Sequence, residues 1–118
     1  MIRSFKDLKV YQKGYKLSLE IHQLTKQLPS EEKYEIGRQL RSAAISIPAN
    51  IAEGYGKKRS TKEFKRFLLI SLGSCNEVQV YINMCIDLNY VEAKRGKKLL
   101  DNYEVLGKQL NTMIDKWV

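Results

Sequence analysis

The chain has 118 residues, 43% of them hydrophobic and 29% charged, and a formal net charge of +8. These values are typical of one globular domain over residues 1–118 and exclude a disordered chain. The sequence lacks an apolar stretch near the ~20 residues that span a membrane, and its start lacks the apolar run of a signal peptide, so we expect a cytoplasmic protein without membrane contact.

Hydrophobic spacing, prolines and glycines define two helical segments in the first half of the chain. The first is predicted over about 7–27, where small or apolar residues recur at alternating intervals of four and three residues. They are Val10, Gly14, Leu17, Ile21, Leu24 and Leu28. The second is predicted over about 31–53, with Pro48 inside it and with Gly54 and Gly56 expected to stop it.

Two further helical segments follow. The third is predicted over about 61–88, opened by Ser60 and Glu63 in the pattern of a capping box and closed by Asn89. The fourth is predicted over about 91–117, where apolar residues again recur at helical spacing. No segment alternates polar and apolar residues as a strand does, and the connections are short. The sequence therefore predicts an all-α protein folded as an antiparallel up-down-up-down four-helix bundle.

The third helix carries apolar residues on two faces. One broad stripe suits the core of the bundle, and a second set lies opposite or beside it. Because a four-helix monomer covers only one side of each helix, we predict that the second face joins the subunits of a homo-oligomer. The alternative is that these residues are scattered surface apolars, which are common. The predicted interface residues are Leu69, Gly73, Val80, Tyr81 and Met84.

Positive charge concentrates in residues 57–66. Its six cations are Lys57, Lys58, Arg59, Lys62, Lys65 and Arg66, against one Glu. They surround the start of the third helix, where the dipole disfavours cations and free backbone N–H groups favour a phosphate. In the predicted topology the first helix begins at the same pole, which adds Arg3, Lys6 and Lys9. The pattern predicts a phosphate-binding surface. The alternative is a solvated loop, which is our interpretation of the weaker cluster at residues 94–98.

No motif for reading base edges accompanies this basic run. The sequence contains no zinc-finger spacing, no aromatic ribonucleoprotein motif and no basic zipper. Binding to RNA or DNA would therefore depend on phosphate contacts, with a steep salt dependence and little base readout.

Residues that carry chemistry are few. The chain has one histidine, His22, and none of the paired Glu-x-x-His motifs that di-iron bundles use. Cys75 and Cys85 lie ten residues apart, which is about 15 Å along one helix and beyond disulfide reach. We interpret both as reduced packing residues. The sequence thus predicts no catalytic residue, no metal site and no cofactor, and a protein that is not an enzyme.

The segment around Pro48 resembles a family signature. Residues 41–54 read Arg-Ser-Ala-Ala-Ile-Ser-Ile-Pro-Ala-Asn-Ile-Ala-Glu-Gly, and residues 5–11, 67–77 and 88–90 agree with the same family. It is the bacterial four-helix bundle family named for proteins encoded in intervening sequences of 23S ribosomal RNA genes. Related to it are the accessory variability proteins of diversity-generating retroelements.

The resemblance implies a ring-like homopentamer. The related accessory proteins bind nucleic acid and contact a reverse transcriptase, which favours RNA or an RNA–DNA hybrid as the ligand here. The resemblance makes Pro48, Asn50 and Gly54 structural. It also implies that five basic residues face the nucleic acid: Arg38, Arg41, Lys57, Lys58 and Arg59. Two hypotheses follow: an oligomeric, non-enzymatic nucleic-acid-binding protein, or a protein-interaction scaffold or accessory subunit for a polymerase or other partner that does not itself bind nucleic acid.

Overall fold

The computed structural model describes residues 1–117, which form helices and contain no strand. A 3-10 turn at Phe5–Asp7 precedes five α-helices. They are α1 (Lys9–Thr25), α2 (Ser30–Tyr34), α3 (Ile36–Gly56), α4 (Thr61–Asp87) and α5 (Ala93–Lys116). The all-α prediction is confirmed. None of these helices has the length and apolar character needed to cross a membrane.

The four long helices α1, α3, α4 and α5 pack antiparallel in chain order. Residues late in one helix meet residues early in the next, and the reverse holds at the other end. The contacts are Gly14 with Ile47, Thr25 with Arg41, Ser46 with Ser74, Gly54 with Phe67, Cys75 with Tyr103, and Phe64 with Trp117. The predicted up-down-up-down bundle is confirmed. Two poles follow from it: one holds the starts of α1 and α4, and the other holds the starts of α3 and α5.

The core lies along the axis of the bundle, where the predicted apolar stripes meet. Its fully buried side chains include Leu24, Leu40, Ile47, Phe64, Leu68, Ile82, Tyr103, Leu106 and Leu110. Cys75 and Cys85 are buried free thiols. Burial raises the pKa of each thiol to about 11, so both are protonated at neutral pH.

A polar cluster joins α3 to α4 beside the helical proline. The Asn50 Nδ2 donates to the Ser46 carbonyl at 2.8 Å and to the Ser46 hydroxyl at 2.9 Å. That hydroxyl also shares a 2.9 Å hydrogen bond with Ser74. One turn away, the buried Ser71 hydroxyl donates to the carbonyl of Ile47 at 2.9 Å. The two bonds that cross between the helices, Ser46 to Ser74 and Ser71 to Ile47, tie the segment around Pro48 to α4.

Two backbone features differ from the expectations. The second predicted segment is divided at Glu35, whose φ of −102° and ψ of −92° interrupt the helix between α2 and α3. Gly54 does not stop α3, because the helix continues to Gly56. A glycine occupies this position for a steric reason, because a Cβ on Gly54 would lie 2.6 Å from the Cβ of Phe67. Gly54 therefore permits close packing of α3 on α4 and is not a terminator.

The end of α4 follows the prediction. Asn89 is in the left-handed region, with φ of 61°, a conformation that asparagine tolerates better than most residues. The Tyr90 N–H then donates to the carbonyl of Cys85 at 2.8 Å and closes the helix.

Candidate nucleic-acid interface

The basic residues 57–66 occupy the turn from α3 into α4 and the first turns of α4. Lys57 follows the last residue of α3, and Ser60 caps α4 by accepting a hydrogen bond from the Glu63 N–H at 3.2 Å. The Glu63 carboxylate does not return to the Ser60 backbone, because it bonds Arg66 instead. Only half of the predicted capping box is therefore made. Lys57, Lys58, Arg59, Lys62 and Arg66 are exposed, and Lys65 is half-buried.

Two aromatic rings hold three of these cations in place. The Lys57 ammonium lies 5.0 Å, and the Arg66 guanidinium carbon 4.5 Å, from the centre of the Phe67 ring. The Lys58 ammonium lies 4.0 Å from the centre of the Tyr55 ring and donates to its hydroxyl at 2.8 Å. Attraction to a ring face restricts a long cationic side chain without neutralising its charge. Lys57 and Lys58 are thus positioned and still able to bind an anion.

One carboxylate opposes this cluster directly. Glu63 accepts from Arg66 at 3.1 Å and 3.3 Å, and this hydrogen bond holds the pKa of Glu63 below its usual value. It is the single ion pair within 4.0 Å in residues 1–117. The other five cations of residues 57–66 have no carboxylate within that distance in the described chain.

The start of the chain lies at the same pole, as predicted from the topology. Arg3 precedes the 3-10 turn, Lys6 lies within it, and Lys9 opens α1. The nearby Asp7 carboxylate accepts from the backbone N–H groups of Arg3 at 2.7 Å and Ser4 at 3.1 Å. These bonds lower the pKa of Asp7. Asp7 therefore stabilises the turn, and none of these three cations lies within 4.0 Å of it.

Sequence reasoning overlooked a cation from the end of α5. The Trp117 ring packs edge-on against Phe64, with centroids 4.7 Å apart and planes at 90°. This contact brings the preceding Lys116 to the basic end, and Lys116 borders one groove together with Lys9. The signal was available, because the fourth helix of an up-down-up-down bundle ends where the first begins. We name this surface the basic pole: Arg3, Lys6, Lys9, Lys57, Lys58, Arg59, Lys62, Lys65, Arg66 and Lys116.

Arg38 and Arg41 lie elsewhere. Both belong to the first turns of α3, and 16 residues separate Arg41 from Lys57, a rise of about 24 Å at 1.5 Å per residue. Arg38 is exposed, whereas Arg41 is half-buried and bonds the hydroxyl of Thr25 at 3.0 Å. The structure therefore does not bring these two arginines together with the basic pole.

The predicted oligomer interface is an outward stripe of α4. Leu69, Val80 and Met84 are 54%, 56% and 45% exposed. Gly73 is exposed, and a Cβ added to it would point into open space. Tyr81 differs, because it is half-buried and packs against the core. Four of the five residues thus share one open surface, and Tyr81 lies at its margin.

The described residues show no cluster suited to a metal ion. No three His, Cys, Asp or Glu side chains within residues 1–117 come together as ligands would. His22 is half-buried on α1, and its Nδ1 lies 2.9 Å from the carbonyl of Ser18.

The fold and the basic pole define a class: a four-helix-bundle protein with one strongly cationic end. Its family follows from the comparison of sequences, since a model of the 23S rRNA-intervening sequence protein family matches residues 6–112. The chain belongs to this family, and the resemblance drawn from residues 41–54 is confirmed.

A solved structure agrees. The chain is similar to the crystal structure of a protein of unknown function from the S23 ribosomal protein family of Bacteroides thetaiotaomicron VPI-5482, with a TM-score of 0.81. The two are 25% identical, and the match covers 89% of this chain and 97% of that chain. No protein with curated annotation matches the chain.

Proposed function

We propose that the protein is a non-enzymatic, cytoplasmic, oligomeric nucleic-acid-binding protein whose basic pole contacts the phosphates of RNA or an RNA–DNA hybrid. One observation carries the proposal. Of the six cations at residues 57–66, five have no carboxylate within 4.0 Å in the described chain, and three are held by aromatic rings. Cations gathered at a helix N-terminus are unfavourable unless an anion joins them.

The size of the pole suits a strand of nucleic acid. The bundle is 45 Å long and 22 × 21 Å across. At 3.4 Å of rise per nucleotide, one strand crossing that end places roughly six phosphates against it. Lys and Arg at several points of the surface can each neutralise one of them. Phosphate contacts position the strand without reading its bases, so we expect little sequence preference.

Self-association through α4 would bring the basic poles of several subunits together. Lys62, Arg66 and Leu69 succeed one another at intervals of four and three residues, so the basic and apolar parts share one face of the helix. Copies joined around an axis parallel to α4 present their basic poles on the same side of a ring. The family resemblance implies a pentamer, and such a ring would bind a polyanion through several weak contacts at once.

The test is a charge reversal with a matched control. We expect Lys57→Glu, Lys58→Glu and Arg59→Glu together to abolish retention of single-stranded RNA and of an RNA–DNA hybrid on a filter at low salt. The control carries Lys94→Glu, Lys97→Glu and Lys98→Glu, an equal change of charge on exposed residues at the opposite pole. It should retain most binding, and circular dichroism should show both variants folded. Equal retention by the two variants would overturn the proposal.

A second candidate, a scaffold for a protein partner, is favoured by a groove between α1 and α5. The groove has a volume of about 430 Å³, and Val10, Val105 and Met113 contribute its apolar lining. Lys9 and Lys108 lie among its rim residues, and no carboxylate lines it. An amphipathic helix with carboxylates on its polar side would complement this groove. Binding of such a peptide, lost in Val105→Asp, together with no RNA binding by the unmutated protein, would favour this function over the first.

A further inference from the structure

A second cationic site lies at the pole opposite the basic pole. The end of α1, the short helix α2 and the start of α3 enclose a surface pocket of about 270 Å³. Its lining residues are His22, Thr25, Lys26, Lys33 and Arg41. Three of them are permanent cations at neutral pH, one is an imidazole, and none is a carboxylate.

The charge of Arg41 is not neutralised within the described chain. Its guanidinium donates to the Thr25 hydroxyl at 3.0 Å and to the Lys33 carbonyl at 3.1 Å, and both acceptors are neutral. No carboxylate lies within 4.0 Å of it in residues 1–117. Arg41 is half-buried, and a charge withdrawn from water is unfavourable unless it is paired. An anion from solution would supply the missing partner.

The guanidinium is also held ready for such an anion. Two of its five N–H donors are used in the bonds to Thr25 and Lys33, so three remain. The adjacent Gly37 leaves the necessary room, because a Cβ there would lie 3.1 Å from Nη1 of Arg41 and 3.2 Å from the carbonyl of Glu32. A planar guanidinium fixed in this way favours a flat pair of oxyanion oxygens.

The acceptors at the end of α1 are already satisfied. The carbonyls of Gln23, Leu24 and Thr25 each accept a hydrogen bond from the backbone N–H three residues later, at 3.2, 3.0 and 3.3 Å. The Thr25 hydroxyl donates to the carbonyl of His22 at 3.1 Å. His22 donates from Nδ1 to the carbonyl of Ser18, so Nε2 of the neutral imidazole is an acceptor. The groups left for a ligand are therefore mainly donors.

We propose that this pocket binds one compact phosphate group, either inorganic phosphate or the terminal phosphate of a monoester. Three cations that line a single small pocket suit a dianion. A phosphodiester within a strand carries one charge per phosphate and suits an extended surface such as the basic pole. The pocket is about 24 Å from Lys57 along α3, so it does not depend on the function proposed for that pole.

The test uses the full chain and ¹H–¹⁵N NMR titration at constant ionic strength, with inorganic phosphate replacing chloride. We expect saturable shifts at the Thr25 and Lys33 amides and at the Arg41 side chain. Adenosine 5′-monophosphate should reproduce them, whereas a dinucleoside with only a phosphodiester should not. Shifts with inorganic phosphate alone would assign the site to the free ion. Absence of saturable shifts at these residues would overturn the proposal.

Variants separate binding from folding. Lys26→Gln with Lys33→Gln keeps the backbone carbonyl that Arg41 bonds, and Arg41→Gln removes the guanidinium itself. Each charge-assisted hydrogen bond favours an anion by a factor of about ten, so both variants should weaken phosphate binding at least tenfold. Arg38→Gln, an exposed neighbour on α3 that does not line the pocket, is the matched control and should stay within about twofold of the unmutated protein. Equal affinity in the folded lysine double variant and the control would contradict the proposal.

Discussion

At the scale of single residues, Gly54 decides how closely α3 approaches α4. Two aromatic side chains of α4 lie where its Cβ would be: Phe67 Cβ at 2.6 Å and Phe64 Cδ1 at 3.0 Å. Phe67 also supports Lys57 and Arg66 through its ring. The same glycine therefore sets the packing of the bundle and the position of two cations of the basic pole.

We expect Gly54→Ala to destabilise the protein by about 1–3 kcal/mol, because the added methyl group forces α3 and α4 apart. Gly56→Ala is the matched control, since no atom lies within 4 Å of its Cβ position and alanine favours a helix over glycine. Urea unfolding of both variants measures the difference. If Gly54→Ala is as stable as Gly56→Ala, the close approach of the two helices is wrong.

At the scale of elements, α4 carries apolar residues on two opposite faces. Its inner face supplies Phe64, Leu68 and Ile82, all fully buried, to the core. Its outer face leaves Leu69, Val80 and Met84 about half exposed. A helix with apolar residues on both sides is stable in water when both sides are covered. The outer stripe is where a second subunit would contribute most.

If the protein self-associates through this stripe as proposed, Val80→Glu with Met84→Glu should convert the oligomer to monomer, because the change would bury two uncompensated carboxylates in the proposed interface. Leu19→Glu is the control: Leu19 is 55% exposed on α1, close to the 56% of Val80, but lies outside the stripe. Sedimentation velocity of the three proteins gives their mass. A monomeric unmutated protein, or an oligomer that both variants preserve, would contradict this interface.

Local sequence carried most of the information about the helices. Spacing of apolar residues, the Ser60 cap and Asn89 mark their faces and ends through interactions between near neighbours. The burial of Gly54 depends on a contact between helices distant in sequence, and the spacing of apolar residues did not reveal the break at Glu35. A glycine at the end of an apolar run predicts the end of a helix, and only the position of Phe67 shows that Gly54 is a packing contact.

At the scale of the whole molecule, topology decided which cations meet. Residues 57–66 are contiguous, so their clustering was visible in the sequence, and alternating helix directions added Arg3, Lys6 and Lys9. The same rule brings Lys116 to this pole, since α5 ends where α1 begins, and the contact between Trp117 and Phe64 holds the end of α5 there. The pocket around Arg41 required more, because its lining combines three elements whose residues are separated by up to 19 positions. No local pattern connects them.

The salt dependence of RNA binding tests the basic pole most directly. Each phosphate contact with a single strand contributes about 0.7 to the negative slope of log affinity against log salt. Neutralising Lys57, Lys58 and Arg59 to Gln should therefore reduce that slope by about 2, whereas Lys94, Lys97 and Lys98 changed to Gln should leave it within about 0.5 of the unmutated value. An unchanged slope in the first variant would contradict phosphate binding at this pole.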